Sequence, residues 1–162
     1  MVLWDQIFDS IRPEYPEVSC DKMLVDAMTV RMVQKPQSLD TIVATNLHGD
    51  ILSDLAAALS GSIGIAPSSN LDPSRQHPSM FEPIHGSAPD IAGKGVANPL
   101  GTIASAAEML KWLGEDEAAA RICMAIDAVT VGGTRTRDLG GQAGTEEVTK
   151  AIIEHLHSRK SD

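Results

Sequence analysis

The sequence predicts an α/β protein, and three observations carry that expectation. Short β-branched runs take turns with stretches of helical periodicity, loops rich in glycine, proline and serine separate them, and 43% of the 162 residues are hydrophobic, enough to bury a core. The strand candidates, KMLV, LDTIVAT, SIGIAP and MFEPIH, are fewer than the roughly five or six of an ordinary sheet. The sheet is therefore expected to lack partners.

Taken in order, Leu3, Ile7, Phe8 and Ile11 fall at helical spacing and Pro13 ends that segment, so the chain opens inside a helix with no cap before it. KMLVDAMTVRMV reads as a short buried strand passing into a helix that stops before Pro36. LDTIVAT, β-branched between polar residues, reads as a central strand. NLHGDILSDL continues as a helix up to Gly61. SIGIAPSSNL is expected to be strand then loop, LDPSRQHPS a turn-rich connection, and MFEPIH a further strand.

The second half is mostly helical. Leu100, Ile103, Ala107, Leu110 and Leu113 form an apolar stripe that ends at Gly114, and Ala118, Ile122, Ala125, Ile126 and Val129 form another before Gly132 and Gly133. Thr145, with Glu146 and Glu147 behind it, has the character of an N-cap for a last helix. Val148, Ile152, Ile153 and Leu156 carry that helix to a polar end, HSRKSD.

A formal charge of −9 with no Lys/Arg cluster argues against nucleic acid or an anionic membrane as partner, because both attract basic patches. Cys20 and Cys123, far apart and without a CxxC, give neither a zinc pattern nor a disulfide framework, and a reducing cytoplasm is the expectation. No apolar run is long enough to cross a bilayer. The N-terminal MVLWDQIFDS lacks the basic flank and apolar stretch of an export signal.

The chemistry concentrates in two places. Asp50 and Asp54 stand four apart on a helix, about 6 Å along its axis, so their carboxylates share one face and repel unless a cation lies between them. Hard oxygen ligands select Mg²⁺ or Mn²⁺. The plain alternative is a solvated helix face. The pair follows a strand candidate, as does Asp26 after KMLV, and ligands of open α/β proteins gather at the carboxyl ends of strands. The second place is FEPIHGSAPDIAGKGVANP, residues 81–99, where Gly86, Gly93 and Gly95 give the backbone freedom while His85, Ser87, Asp90 and Asn98 supply polar groups. An ordinary glycine-rich connection remains open as the alternative.

NLHGDILSDLAAALSGSIGIAP closely resembles the signature of the metal-dependent β-decarboxylating 2-hydroxyacid dehydrogenases, which include isocitrate, 3-isopropylmalate, tartrate and D-malate dehydrogenases. EPIHGSAPDIAGKGVANP resembles the same family's cofactor loop, and LVDAM and DLGGQAGTEEV fall in the expected order. The stretch NLDPSRQHPSMFEPIHG is most similar to the tartrate/D-malate branch. His48 stands where the family commonly has phenylalanine, a packing or surface variant rather than a new ligand. His77, His155 and His157 are expected to be solvated.

The resemblance implies a partial isocitrate/isopropylmalate dehydrogenase-like fold, a sheet flanked by helices that is incomplete without an N-terminal half. Residues 1–61 would belong to the smaller, dimer-forming domain and residues 62–162 to the larger cofactor-binding domain. It implies Asp50 and Asp54 as metal ligands from one subunit and Asp26 as the ligand given to the partner's metal, in a homodimer with shared active sites. Glu82, His85, Gly86, Ser87, Ala88, Asp90 and Asn98 match the loop that wraps the dinucleotide, with Asn98 near the adenine. Asp90 stands where an acid meets the adenosine ribose, favouring NAD over its 2′-phosphorylated form.

The cofactors so implied are NAD and Mg²⁺ or Mn²⁺, with K⁺ as a further cation, and the substrate a small 2-hydroxy dicarboxylic acid such as tartrate or D-malate. No catalytic residue is assigned, because the family's tyrosine, lysine and substrate-gripping arginines would precede Met1. The alternatives are a non-catalytic dimerisation or binding module and the 3-isopropylmalate branch. A metal-carboxylate phosphatase would need a nucleophile or phosphate loop that the sequence lacks.

Overall fold

A computed structural model describes residues 2–158. The fold is α/β and helix-rich, with one small sheet, and divides into two compact units, Met1–Ile42 and Val43–Asp162.

The first unit holds α1 (Val2–Ile11) and α2 (Val25–Gln34). A single turn of 3-10 helix at Arg12–Glu14, with Pro13 inside it, stops α1 as expected. Little here is buried. The apolar positions of α1 are open to solvent, with Leu3 66% and Ile7 48% exposed. Arg31 of α2 organises the unit through polar contacts: its guanidinium donates to Asp21 Oδ2 at 2.9 Å, to Ser38 Oγ at 2.9 Å and to the Ser38 carbonyl at 3.1 Å. Lys22 and Asp5 form a second ion pair.

The second unit carries the main core. Its helices are α3 (Asn46–Leu59), α4 (Leu100–Trp112), α5 (Asp116–Val131) and α6 (Thr145–Ser158), and its strands are β1 (Pro67–Asn70) and β2 (Met80–Pro83). The strands pair antiparallel with Ser68 opposite Glu82 and Ser69 opposite Phe81. Leu100, Ala125, Val129, Val148 and Ile152 interlock α4, α5 and α6, with Ile65, Ile103 and Leu139 packed around them. Much of the predicted stripes of these three helices thus meets, while Leu113 and Ile153, expected on them, are exposed. Gly101 lets α4 approach closely: a Cβ there would stand 2.9 Å from the Gly64 carbonyl and 3.1 Å from Pro83.

The connection between the strands is a built turn. Asp72 accepts backbone N–H groups from Ser74, Gln76 and His77 at 2.8–3.0 Å, and the Ser74 hydroxyl besides. These bonds, that of the Ser74 hydroxyl foremost, hold the Asp72 carboxyl below its ordinary pKa. Arg75, at φ 56°, lays its guanidinium 4.1 Å from the Trp112 ring centre and donates to the Trp112 carbonyl at 2.7 Å. A cation thus meets the carbonyl end of α4, where the helix dipole favours it.

Several expectations are corrected. Residues 22–25 and 39–45 form no strand: Leu24, Leu39 and Thr45 have extended backbone, but among the described residues no neighbouring chain pairs with them. A strand is defined by its partner, and an extended run without one stays open; Val43 is 80% exposed. SIGIAP opens as a 3-10 turn, Ile63–Ile65, because Ser62 Oγ accepts the Gly64 N–H at 2.9 Å, and the strand begins only at Pro67. Thr145 is the first residue of α6 and its hydroxyl donates to the Ala97 carbonyl, so it does not serve the helix as the expected cap. His155 is half-buried, with an Nε2 that lacks both solvent and a partner.

Candidate functional site

Asp50 and Asp54 lie one turn apart on α3, whose inward side is set by buried Leu52 and Ala57. Both aspartates are exposed. Among the described residues neither has an ion-pair partner. The like charges therefore stand on neighbouring turns without a cation from the protein, at a cost of a few tenths of a kcal/mol. Ile51 and Leu59 on the same helix are 52% and 48% exposed.

Asp26 sits in the first turn of α2, exposed, and its Oδ1 accepts the Ala27 N–H at 2.8 Å. It belongs to the first compact unit, whereas Asp50 and Asp54 belong to the second. Among the described residues no group of three His, Cys, Asp or Glu side chains is gathered closely enough to hold a metal ion. The pair on α3 is chemically suited to a hard divalent cation, and it supplies part of a coordination shell.

The glycine-containing segment leaves β2 at Glu82, an exposed residue whose strand position is fixed opposite Ser68. The ladder runs one step further through the Ile84 N–H to the Ala66 carbonyl at 3.2 Å. His85 is half-buried with Nδ1 3.0 Å from the Gly86 carbonyl. Gly86, Ser87, Ala88 and Asp90 are all exposed. The left-handed positions are Gly93 (φ 74°), Gly95 (φ 65°) and, against expectation, Ala88 (φ 41°); Gly86 is not among them. A non-glycine residue there costs about 1–2 kcal/mol, and a turn closed by the Ile91 N–H on the Ala88 carbonyl at 3.0 Å holds it. The result is an open, polar loop with its carboxylate at Asp90 facing solvent.

The far limb of this loop is tied down. Asn98 donates from Nδ2 to Asp138 Oδ2 at 2.8 Å, and its Oδ1 accepts the Leu100 N–H at 2.9 Å, placing Asn98 at the entrance to α4. Ser62 also donates to Asp138 Oδ2. Asp138 is exposed as a residue, yet this oxygen is turned onto buried Ser62. Partial desolvation pushes its carboxyl pKa up, and the hydrogen bonds from Asn98 and Ser62 outweigh it, so the net direction is down. Thr145 adds its N–H to the Gly95 carbonyl at 2.9 Å and its hydroxyl to the Ala97 carbonyl.

Asp138, Ser62 and Thr145 were not assigned to the site from sequence. The available signal was DLGGQAGTEEV, a motif in the right order but without a role. Its Gly141 passes so close to Arg135 that a Cβ would fall 1.9 Å from the Arg135 carbonyl oxygen, so the segment turns tightly back on itself there.

With this geometry in hand, the chain can be placed among known proteins. The model of the isocitrate/isopropylmalate dehydrogenase family matches residues 1–153. A probable tartrate dehydrogenase/decarboxylase of Agrobacterium vitis is 62% identical over 96% of this chain and 44% of its own length. A 3-isopropylmalate dehydrogenase of Corynebacterium jeikeium is 50% identical over 95% of this chain and 44% of its own. The crystal structure of isocitrate dehydrogenase from Methylococcus capsulatus superposes with a TM-score of 0.89 at 43% identity, covering 95% of this chain and 45% of that one. This chain spans less than half the length of these relatives, and no helix among its described residues is long and apolar enough to cross a membrane. It belongs to the isocitrate/isopropylmalate dehydrogenase family, whose members are oxidoreductases.

Proposed function

We propose that this chain is the metal- and dinucleotide-binding part of an NAD-dependent 2-hydroxyacid dehydrogenase of the tartrate/D-malate type. The observation that carries the reading is the pairing, in one compact unit, of two unpartnered carboxylates on α3 with an open polar loop whose far limb is pinned. The 62% identity to the Agrobacterium vitis relative supports the tartrate branch.

Asp50 and Asp54 would hold Mg²⁺ or Mn²⁺, with Asp26 given to the equivalent site of a partner subunit and K⁺ as a further cation. When bound, the metal supplies Lewis-acid polarisation of the substrate oxygen and the dinucleotide accepts hydride. The work of this chain is positioning. Glu82 and His85 set where the loop leaves the sheet; Gly86, Ser87 and Ala88 offer exposed backbone and hydroxyl groups; Asp90 presents acceptors to a ribose diol and repels a 2′-phosphate; Asn98 closes the adenine end.

The proton-transfer groups belong to a segment like the one its relatives have before this region. We further propose residues 1–61 as part of a smaller dimer-forming domain, residues 62–162 as part of the cofactor domain, and the cytoplasm as its compartment. The exposed Ile51 and Leu59 on α3 favour a covering subunit.

The test joins this chain to the first half of the Agrobacterium vitis relative. NAD reduction is assayed with D-malate, meso- and L-tartrate and 3-isopropylmalate in Mn²⁺, beside the 162-residue chain alone. Turnover of tartrate or D-malate by the joined protein only is the expected result. Exclusive use of 3-isopropylmalate would move the protein to that branch, turnover by the short chain would overturn the need for the added half, and no turnover by the joined protein would overturn the dehydrogenase reading.

A further inference from the structure

We infer that Asp138 is the positioning residue of the dinucleotide loop, acting through Asn98. The inference rests on the dinucleotide reading above and goes beyond it by giving the DLGG segment a role.

The two limbs of the loop are held very differently. Among the described residues, the hydrogen bonds of residues 86–90 are local: His85 Nδ1 with the neighbouring Gly86 carbonyl, and the Ile91 N–H with the Ala88 carbonyl. From Gly95 to Asn98, beside the local bond of Asn98 Oδ1 with the Leu100 N–H, long-range bonds run to the segment that follows α5. The Gly95 carbonyl accepts the Thr145 N–H, the Ala97 carbonyl accepts the Thr145 hydroxyl, and the Asn98 carboxamide donates to Asp138, forty residues away. Residues 136–145 are thus the platform on which the adenine end of the loop is set.

Asp138 is the one acidic residue of that platform, and its Oδ2 serves both donors at once. Ser62 reaches it from before the turn at Ile63–Ile65, and Asn98 reaches it from the entrance to α4. Space at this junction is tight: a Cβ on Gly64 would fall 2.9 Å from Asn98 Cβ and 3.0 Å from Asp138 Oδ2. Because Asn98 Oδ1 is committed to the Leu100 N–H, the carboxamide plane is fixed at both ends, and with it the backbone of the Gly95–Asn98 limb. A hydrogen bond to a charged acceptor is stronger than one between neutral groups. A residue at 138 with no acceptor would therefore leave the carboxamide held at its Leu100 end alone, and a neutral acceptor would hold the other end more weakly.

The experiment uses the full 162-residue chain and measures NADH and ADP-ribose affinity by fluorescence and calorimetry for wild type, Asp138→Ala, Asp138→Asn, Asn98→Ala and the Asn98→Ala/Asp138→Ala double variant. Loss of one hydrogen bond to a charged acceptor corresponds to about tenfold in affinity. Asp138→Ala should lose about that factor for both ligands, Asp138→Asn should recover part of it, and the double variant should bind no more weakly than Asn98→Ala. Amide exchange should rise in residues 95–98 and stay unchanged at Ala125 and Val129, which separates positioning from general destabilisation. Wild-type affinity in Asp138→Ala, or additive losses in the double variant, would overturn the inference while leaving the dinucleotide reading intact. A wild-type chain that binds neither ligand would overturn that reading and this inference with it.

Discussion

The hydroxyl of Thr145, at the first turn of α6, donates to the carbonyl of Ala97, forty-eight residues earlier in the chain. A residue type that ordinarily caps its own helix is here spent on a loop, and the same residue's N–H holds Gly95. Thr145→Val keeps the side-chain volume and removes the donor, and should lower stability by about 1 kcal/mol, the usual net worth of such a bond. Denaturant unfolding checks the size. A midpoint equal to wild type would mean that the bond contributes nothing.

The junction at Asp138 predicts a pH dependence. Its carboxyl is held below the ordinary aspartate value of 3.8 by Asn98 and Ser62, against the opposing effect of partial burial. A group depressed in the folded state stabilises the fold at pH above its unfolded value, and that contribution is lost as pH falls through the folded value. Acid unfolding as pH falls below the ordinary aspartate value of 3.8 should therefore be less steep in Asp138→Asn than in wild type. Identical acid transitions in the two proteins would show that Asp138 is not linked to folding.

How far the sequence could be read follows from where each signal is local. The helices α4 to α6 were legible because much of their apolar spacing matches the faces they bury: Leu100, Ala107, Ala125, Val129, Val148 and Ile152 are all buried. Residues 22–25 and 39–45 were misread because β-branched composition reports a tendency to extend, while pairing depends on a neighbour that composition does not contain. The same limit applied to the site. Asp50 and Asp54 announce themselves by spacing on one helix. Asp138 and Asn98 meet across forty residues of chain, so nothing within a window of sequence links them.

The open backbone of residues 39–45 gives a direct measurement. With no helix or paired strand among the described residues and Val43 80% exposed, these amides should exchange at rates close to those of an unstructured peptide in the isolated chain. Joining the first half of the Agrobacterium vitis relative should slow them by a factor of ten or more if a strand is supplied. Fast exchange in both proteins would rule out pairing there.

Metal binding at α3 is tested by thermal melting in Mn²⁺. A ligand that binds only the folded state raises its stability in proportion to the logarithm of concentration over Kd. Wild type should show a Mn²⁺-dependent rise in Tm, and Asp54→Asn should lose it, because one neutral amide oxygen replaces a hard anionic ligand and only Asp50 remains on that face. An undiminished shift in Asp54→Asn would place the Mn²⁺ elsewhere.

Arg75 separates backbone from side-chain energetics at a single position. Its guanidinium lies over the Trp112 ring and donates to the Trp112 carbonyl, whereas its backbone, at φ 56°, is in the region that favours glycine. Arg75→Ala removes both side-chain contacts and keeps the strain. It should cost about 1 kcal/mol, the range of an exposed cation–π contact with a hydrogen bond. Arg75→Gly removes the same contacts and relieves a left-handed backbone worth about 1–2 kcal/mol, partly offset by the greater freedom of glycine when unfolded. The glycine variant should therefore be the more stable of the two, by roughly 0.5–1 kcal/mol. Urea unfolding of both proteins decides the matter: with alanine as stable as glycine, the left-handed turn at Arg75 would carry no strain, and the side chain alone would account for that position.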